Sequence, residues 1–502
     1  MNVPFDARRR WLALYVLCIG VLMIVLDTTI VNVALPSIRE DLHFTETSLV
    51  WVVNAYMLTF GGFLLLGGRL GDLYGHRRLF LLGITLFTAA SIGCGLANSQ
   101  GLLVAARAVQ GLGGAVVSAV ALSLIMNLFT EPADRARAMG IYGFVCAGGG
   151  SIGVLLGGVL TNALSWHWIF LVNVPIGIAV CALCICLLPG GRGQAAGAKL
   201  DIAGAITVTA SLMLAVYAIV NGNEAGWASV RSVGMLGASA VLMVAFLGIE
   251  ARTRDPLMPL GLFGLRSVAT ANLVGVLWAA AMFAWFFLSA LYMQLVLGYG
   301  ALQVGLGFLP ANLIMAAFSL GLSAKIVMRF GIRAPLVVGL ALAAAGLLLF
   351  ARAPAGGSFA WDVLPGMLLL GLGAGVAFNP LLLAAMSDAR PEESGLASGV
   401  VNTSFMMGGA LGLAVLASLA AARTNRLAAT GTDAIAALNG GYHAAFFAGA
   451  IFAGLAALLA LVLLRAGQHA GTPAREPAPA ARSRPATAVE IVRRRSTRAN
   501  HD

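Results

Sequence analysis

The sequence predicts an all-α integral membrane protein with fourteen transmembrane helices. Its 502 residues are 60% hydrophobic and only 10% charged, with a mean hydropathy of +0.92. A soluble chain of this length could not bury so much apolar surface. Segments long enough to cross a bilayer follow one another with short polar turns between them. They lie at about 12–36, 48–67, 79–97, 102–125, 138–162, 168–188, 201–221, 232–250, 267–291, 303–327, 334–351, 362–385, 398–421 and 443–465.

A short internal repeat predicts how these segments are arranged. The pattern of charged residues and glycine from Arg69 to Arg77 recurs from Lys325 to Arg333, at an offset of 256 residues. We therefore expect two six-helix bundles related as parallel repeats, at 1–190 and 267–465, separated by an extra two-helix hairpin at 200–251.

The distribution of Arg and Lys predicts the orientation. An even number of spans places both termini on one side, and a cytoplasmic amino terminus puts most of the 31 basic residues in cytoplasmic loops and tail. We therefore expect a multi-pass protein of the cell membrane with both termini cytoplasmic. Membrane topology also explains the net charge of +11 better than nucleic-acid binding does. Residues 466–502 are rich in Ala, Pro, Arg and Ser, which predicts a disordered cytoplasmic tail.

Two charged residues inside apolar segments are the candidate proton-coupling site. Asp27 is the only formal charge in the first segment, where a charge costs at least ~2.5 to 3.5 kcal/mol on insertion scales. An apolar cavity favours the neutral carboxyl and a nearby cation favours the carboxylate, so such a group can load and release a proton. Arg107 in the fourth segment needs a partner, and Asp27 is the candidate, directly or through water or Gln110. Alternatively, Asp27 only orders its helix and Arg107 binds helix carbonyls.

The turn between the second and third segments is a candidate gating loop. It contains Gly68, Asp72, Gly75, Arg77 and Arg78. Glycine permits a tight turn, and an Asp beside clustered Arg can form charge-assisted bonds to a helix end or a neighbouring loop. Such bonds would hold one face of the protein shut and break when it switches. The alternative is a static, solvated turn.

The fifth segment carries glycines at every fourth position. Gly149, Gly153 and Gly157 lie on one helix face, and Gly158 follows them. Small residues four apart allow another membrane helix to approach closely. This pattern predicts a close helix pair.

Taken together with Ser165–Gly177 and Tyr292–Tyr299, these features resemble the signatures of the fourteen-span drug:proton antiporters of the major facilitator superfamily, the QacA/EmrB type. The resemblance implies a proton-driven exporter that opens alternately to the two sides. It associates Asp27 and Arg107 with proton coupling, the loop with gating and the glycine helix with antiport. Val154 stands where the family usually has proline, so we expect glycine packing without a proline-assisted bend.

The sequence outlines a substrate cavity only loosely. Apolar walls with sparse polar groups suit amphipathic molecules. The candidate cavity residues are Asn32, Tyr56, Gln110, Trp278, Trp285, Tyr292, Gln294, Asn312, Asn402 and Met406. Each of them can equally serve in helix packing or at the membrane interface. We expect proton-coupled efflux of hydrophobic or amphipathic drugs or metabolites, cations included.

Other function classes are less well supported. A facilitator or a proton symporter that imports a small nutrient would have the same fold. A membrane enzyme would need a nucleophile, paired acids or a metal cluster, yet no two of the six histidines share a ligand spacing. We therefore expect no catalytic residues, no metal and no cofactor, with the proton gradient as the energy source. The expected partners are the lipid bilayer, protons and a small-molecule substrate, and the expected state is a monomer.

Overall fold

The computed structural model describes residues 7–129, 131–188, 201–253, 256–318, 322–388 and 394–464. Within these ranges all regular structure is helical, with short 3-10 and π-helical segments and no strand. The α-helices are α1 (Ala7–Leu42), α2 (Glu46–Tyr74), α3 (His76–Gly95), α4 (Gln100–Leu128), α5 (Pro132–Ala163), α6 (Trp168–Leu171), α7 (Asn173–Leu187), α8 (Ile202–Ala225), α9 (Val230–Arg252), α10 (Arg266–Leu291), α11 (Ala301–Ala317), α12 (Ser323–Phe330), α13 (Arg333–Phe350), α14 (Leu364–Met386), α15 (Ser394–Ala429) and α16 (Ala434–Leu463).

Twelve helical stretches in the described part of the chain are long and apolar enough to cross a membrane. Two more apolar stretches, Ile152–Ala163 in α5 and Ala301–Ala317, are shorter. The protein is therefore an all-helical, multi-pass membrane protein, as the hydropathy predicts. The predicted count of fourteen spans stays a prediction, and the predicted tail at 466–502 lies outside the described residues.

Local sequence signals set several helix ends. Thr45 caps α2 by accepting a hydrogen bond from Ser48 N, and the Ser48 side chain accepts one from Thr45 N, which completes a capping box. Ser99 caps α4. Gly75 ends α2 at φ 94° and Gly331 ends α12 at φ 74°, a backbone region that glycine adopts without steric cost. The two matching turns of the internal repeat therefore both use a glycine with positive φ.

The helices before and after the α8–α9 hairpin pack mainly among themselves. In the first group α4 packs against α2 and α3, and α1 packs against α5 and α7; in the second, α10 packs against α15 and α13 against α14. The hairpin places α8 against both α2 and α15. It therefore touches both groups.

Two helix pairs form the most extensive direct contacts between the groups. The end of α5 meets the start of α11, where a Cβ added to Gly158 would lie 2.9 Å from Ala301 O. Along the α2–α15 pair, Asn54 Nδ2 donates to Ala410 O at 2.9 Å. The two groups are thus closed against each other at the end of the molecule where α5 finishes.

Candidate functional site

The structure brings the two predicted intramembrane charges together. Asp27 lies on α1 and Arg107 on α4, with 0% and 1% of their surfaces exposed. Arg107 Nη1 donates to Asp27 Oδ2 at 2.5 Å. A pair without access to water is held together by its own hydrogen bonds and charges, because solvent can neither screen nor replace them.

Amide side chains complete the environment of the carboxylate. Gln110 bridges the pair, since its Oε1 accepts from Arg107 Nη1 and its Nε2 donates to Asp27 Oδ1, both at 2.7 Å. Asn173 Nδ2 on α7 donates to the same Oδ1 at 3.2 Å. Ser91 Oγ on α3 accepts from Gln110 Nε2 at 2.9 Å. Asp27 is therefore the acceptor in every hydrogen bond that it forms with the described residues.

Arg107 combines the two roles that the sequence left open. Besides pairing with Asp27, its Nε donates to Val52 O of α2 at 2.8 Å. Its Cζ atom lies 4.4 Å from the ring centroid of Tyr56, a cation–π distance, and 5.6 Å from that of Phe170. The guanidinium thus connects α4 to α1 and α2 through one planar group.

Glycine allows α2 and α4 to lie close enough for this arrangement. A Cβ added to Gly111 would collide with Tyr56 O and with Thr59 Oγ1, and one added to Gly114 would lie 2.9 Å from Tyr56 Oη. Larger residues would separate the two helices and move Val52 and Tyr56 away from Arg107.

The predicted glycine face of α5 packs against α1, the helix that carries Asp27. A Cβ on Gly149 would lie 2.8 Å from Val25 Cγ1, and one on Gly157 would lie 2.6 Å from Ile30 O. Gly153 lies against Leu26 and Thr29, and Gly158 faces α11 instead of α1. Val154 is 1% exposed, and its carbonyl oxygen would lie 3.0 Å from a Cβ on Gly305.

The candidate gating loop is mostly helical. Gly68 and Asp72 belong to α2, Gly75 forms the turn, and Arg77 and Arg78 lie in the first turn of α3. Arg77 Nη2 donates to Ile185 O in the last turn of α7 at 2.7 Å, so this arginine binds a helix end. Arg78 is exposed, and the side chain of Asp72 lies outside the described residues.

The cavity candidates fall into groups according to their polar contacts. Tyr292 Oη donates to Pro354 O at 2.9 Å, and Gln294 Nε2 donates to Val33 O at 3.0 Å. Asn32 donates to carbonyls of its own helix. Asn402 and Met406 are half-buried.

Four cavity candidates instead bury a polar atom for which the described residues offer no hydrogen-bond partner. These atoms are Tyr56 Oη, Trp278 Nε1, Trp285 Nε1 and Asn312 Nδ2. A buried donor without a partner costs free energy that a ligand acceptor could recover. This property favours them as substrate contacts over Tyr292 and Gln294.

Two members of the site were not predicted as such. Ser91 was not singled out, and Asn173 appeared only inside the Ser165–Gly177 motif. No group of three or more His, Cys, Asp or Glu side chains that could hold a metal occurs among the described residues. The site is therefore a network of one acid, one arginine and neutral amides.

Comparisons with known proteins identify the family. Residues 17–413 match the model described as Major Facilitator Superfamily. The chain is 39% identical over 465 residues to the puromycin resistance protein pur8 of Streptomyces alboniger, covering 91% of this chain and 92% of that protein. It is 40% identical over 416 residues to the cephamycin export protein CmcT of Amycolatopsis lactamdurans, covering 82% and 85%.

A crystal structure has the same fold. It is that of a bacterial homologue of the human lysosomal transporter Spinster, in an inward-facing and unoccupied conformation. The TM-score is 0.64 at 16% identity, and the match covers 92% of this chain and 98% of the other. The chain belongs to the major facilitator superfamily and is a transporter, not an enzyme.

Proposed function

We propose that this protein exports hydrophobic or amphipathic drugs or metabolites, cations included, in exchange for protons. The observation that carries the proposal is the enclosed network around Asp27, in which the carboxylate accepts from Arg107, Gln110 and Asn173. The printed names of the relatives, resistance and export proteins for puromycin and cephamycin, support the direction of transport.

The network suits an ionised Asp27 and not a neutral one. A proton on Asp27 turns one of its oxygens into a donor, and this O–H has no acceptor among the described partners of Asp27 unless a side chain turns. Arg107 would keep its acceptors Val52 O and Gln110 Oε1 but lose its countercharge. Proton binding would therefore destabilise this arrangement of α1 against α4 and favour another conformation.

We also propose the finer architecture that the sequence predicts. It has fourteen spans, with six before and six after the α8–α9 hairpin, and both termini are cytoplasmic. In that orientation the contact between Gly158 and Ala301 lies at the outer end of the molecule. The described conformation is then closed to the outside. A proton reaches Asp27 from the cytoplasm, or from the outside after this contact has opened.

The substrate class follows from the walls of the candidate cavity. Trp278, Trp285 and Asn312 are buried, and their donors, which have no partner among the described residues, favour apolar molecules that carry hydrogen-bond acceptors. No metal or cofactor takes part in the proposed mechanism, and the transporter acts as a monomer in the cell membrane.

The proton gradient supplies enough free energy. Each proton that crosses the membrane carries ~2.3 kcal/mol per 100 mV and ~1.4 kcal/mol per pH unit. Because ~1.4 kcal/mol corresponds to a tenfold ratio, one proton per substrate supports a concentration ratio of roughly a hundredfold or more.

Transport into inverted membrane vesicles tests the proposal. With an acidic interior, native protein should concentrate a lipophilic dye, or puromycin, inside the vesicles, and collapse of the gradient should release it. Asp27→Asn should insert normally but lose this uptake. Glu40→Gln, an exposed carboxyl on the same helix, is the matched control and should retain it.

Two results would contradict the proposal. Full gradient-dependent uptake by Asp27→Asn would remove Asp27 from the coupling mechanism. Proton-driven accumulation inside right-side-out vesicles, with none in inverted ones, would select import in place of export.

A further inference from the structure

A second pair of carboxyl groups lies at the base of the α8–α9 hairpin. Asp201 immediately precedes α8, and Glu250 belongs to the last turn of α9. They are 6% and 3% exposed. Ser211 and Ser239 each donate a hydrogen bond to the other's carbonyl oxygen at 2.8 Å, which fixes the two helices together along the hairpin. Two acids are thus held near each other, away from water and away from Asp27.

Each carboxyl group has one oxygen with a partner and one without. Asp201 Oδ1 accepts from Gly204 N at 2.7 Å, and Glu250 Oε2 accepts from Met258 N at 3.2 Å. Asp201 Oδ2 and Glu250 Oε1 are buried and have no partner among the described residues. Ser211 and Ser239 set the register of the hairpin, and Asp201 lies ten residues before Ser211 while Glu250 lies eleven residues after Ser239, so the two carboxyl groups lie at the same level of the helix pair. A single proton between the two unpartnered oxygens would satisfy both.

The described groups around the pair are two arginines and a set of apolar side chains. Arg69 of α2 donates to Pro256 O at 3.1 Å, and Arg252, two residues after Glu250, is exposed. Neither carboxyl is ion-paired with a described cation. The adjoining contacts from α2, α8 and the following segment are apolar, formed by Leu66, Ala205 and Leu257. Lys199, Arg254 and Asp255 lie outside the described residues.

We propose that Asp201 and Glu250 form a proton-binding carboxyl pair, separate from Asp27, whose one proton holds the base of the hairpin to residues 256–258. Two carboxylates this close in a dry site do not both ionise. Asp201 already accepts from Gly204 N as the cap of α8, so the shared proton is placed on Glu250. Glu250 Oε1 then donates to Asp201 Oδ2, while Oε2 holds Met258 N.

Loss of this proton would release the segment that leads into α10. Repulsion between two carboxylates would drive Glu250 away from Asp201 and break its hydrogen bond to Met258 N. Arg69, next to the candidate gating loop, is bonded to the same segment through Pro256 O. The protonation state of the pair therefore controls the contact between α2 and the segment that precedes α10.

Infrared spectroscopy of the full chain in lipid nanodiscs tests for the proton. Native protein near neutral pH should show the C=O stretching band of a protonated carboxylic acid, and Glu250→Gln should remove it. Asp201→Asn keeps the cap on α8 but puts an amide donor where Asp201 Oδ2 accepts, so Glu250 can ionise and the band should disappear. Glu40→Gln, an exposed carboxyl, should leave it unchanged. A band that is identical in native protein and Glu250→Gln would overturn the proposal.

Hydrogen exchange tests the link to residues 256–258. Once the pH exceeds the point at which the band disappears, the Met258 amide of native protein should exchange about tenfold faster after correction for the chemical rate, as expected for losing one hydrogen bond. Glu250→Gln, which cannot ionise, should show no such step. The same step in both proteins would show that the pair does not hold the segment.

Discussion

A methyl group at Gly153 should disrupt the contact between α5 and the helix that carries Asp27. A Cβ at this position would collide with Thr29 Oγ1 and would lie 2.9 Å from Leu26 O and 3.2 Å from Leu26 Cα. The Thr29 side chain can rotate, but the backbone of Leu26 moves only if α1 moves as a whole. Gly153→Ala should therefore push α1, and Asp27 one residue further along it, away from α5.

Gly150→Ala isolates the cost of this collision. Gly150 lies in the same helix, and a Cβ there would meet only Thr29 Cγ2 at 3.8 Å, an ordinary contact. Both variants gain the same helix propensity, about 1 kcal/mol. The difference between them is therefore the overpacking cost, ~1 to 3 kcal/mol. Relative to native protein, Gly150→Ala should be equally or more stable, and Gly153→Ala less stable than Gly150→Ala by that amount.

Thermal unfolding in one detergent, combined with vesicle transport, measures both effects. Gly153→Ala should unfold at a lower temperature than Gly150→Ala and transport more slowly. Adding Thr29→Ala should recover part of the loss, since it removes the collision with the side chain and leaves the contact with Leu26 O. An unfolding temperature of Gly153→Ala equal to or above that of Gly150→Ala would refute the close packing described for this face.

Three further substitutions test the contacts of the site. Arg107→Lys should abolish transport, because an ammonium cannot reproduce the planar donors to Asp27, Gln110 Oε1 and Val52 O; wild-type uptake in vesicles would make the planar geometry irrelevant. Tyr56→Phe should keep thermal stability, since the hydroxyl has no partner among the described residues, but should transport more slowly, since it removes a candidate substrate contact; Tyr56→Ala should lose both with the ring over Arg107. Gln294→Ala removes the bond to Val33 O between the two helix groups. The distribution of distances between spin labels on the two groups, at the end where α5 finishes, should then broaden towards longer values. An unchanged distribution would show that this bond does not hold that end closed.

The sequence was most informative about residues whose place in a membrane helix requires a particular neighbour. A formal charge inside an apolar segment demands a partner, so Asp27 and Arg107 could be paired before any coordinates were known. The glycine spacing of α5 likewise predicted a close helix pair, although only the structure identifies α1 as its neighbour for Gly153 and α11 for Gly158. Both predictions depended on properties that few residue types have, a formal charge in one case and the absence of a side chain in the other.

Neutral polar residues were less predictable. Ser91 and Asn173 are small polar side chains of a kind common in membrane helices, and only the approach of α3 and α7 brings them to the Asp27 network. Asp201 and Glu250 lie at the ends of the predicted segments 201–221 and 232–250, but their mutual burial depends on how α8 and α9 meet. Such long-range proximity cannot be deduced from a single sequence without the arrangement of the helices.

One turn of α2 has two attachments with different chemistry. Val52 O receives a hydrogen bond from the arginine of the ion pair, and Asn54, two residues later, donates to Ala410 O of α15. If a change in the charge of Asp27 displaces Arg107, the displacement acts on the same turn of α2 that binds α15. The contact with the ion pair and the contact with the second helix group are therefore only one turn of α2 apart.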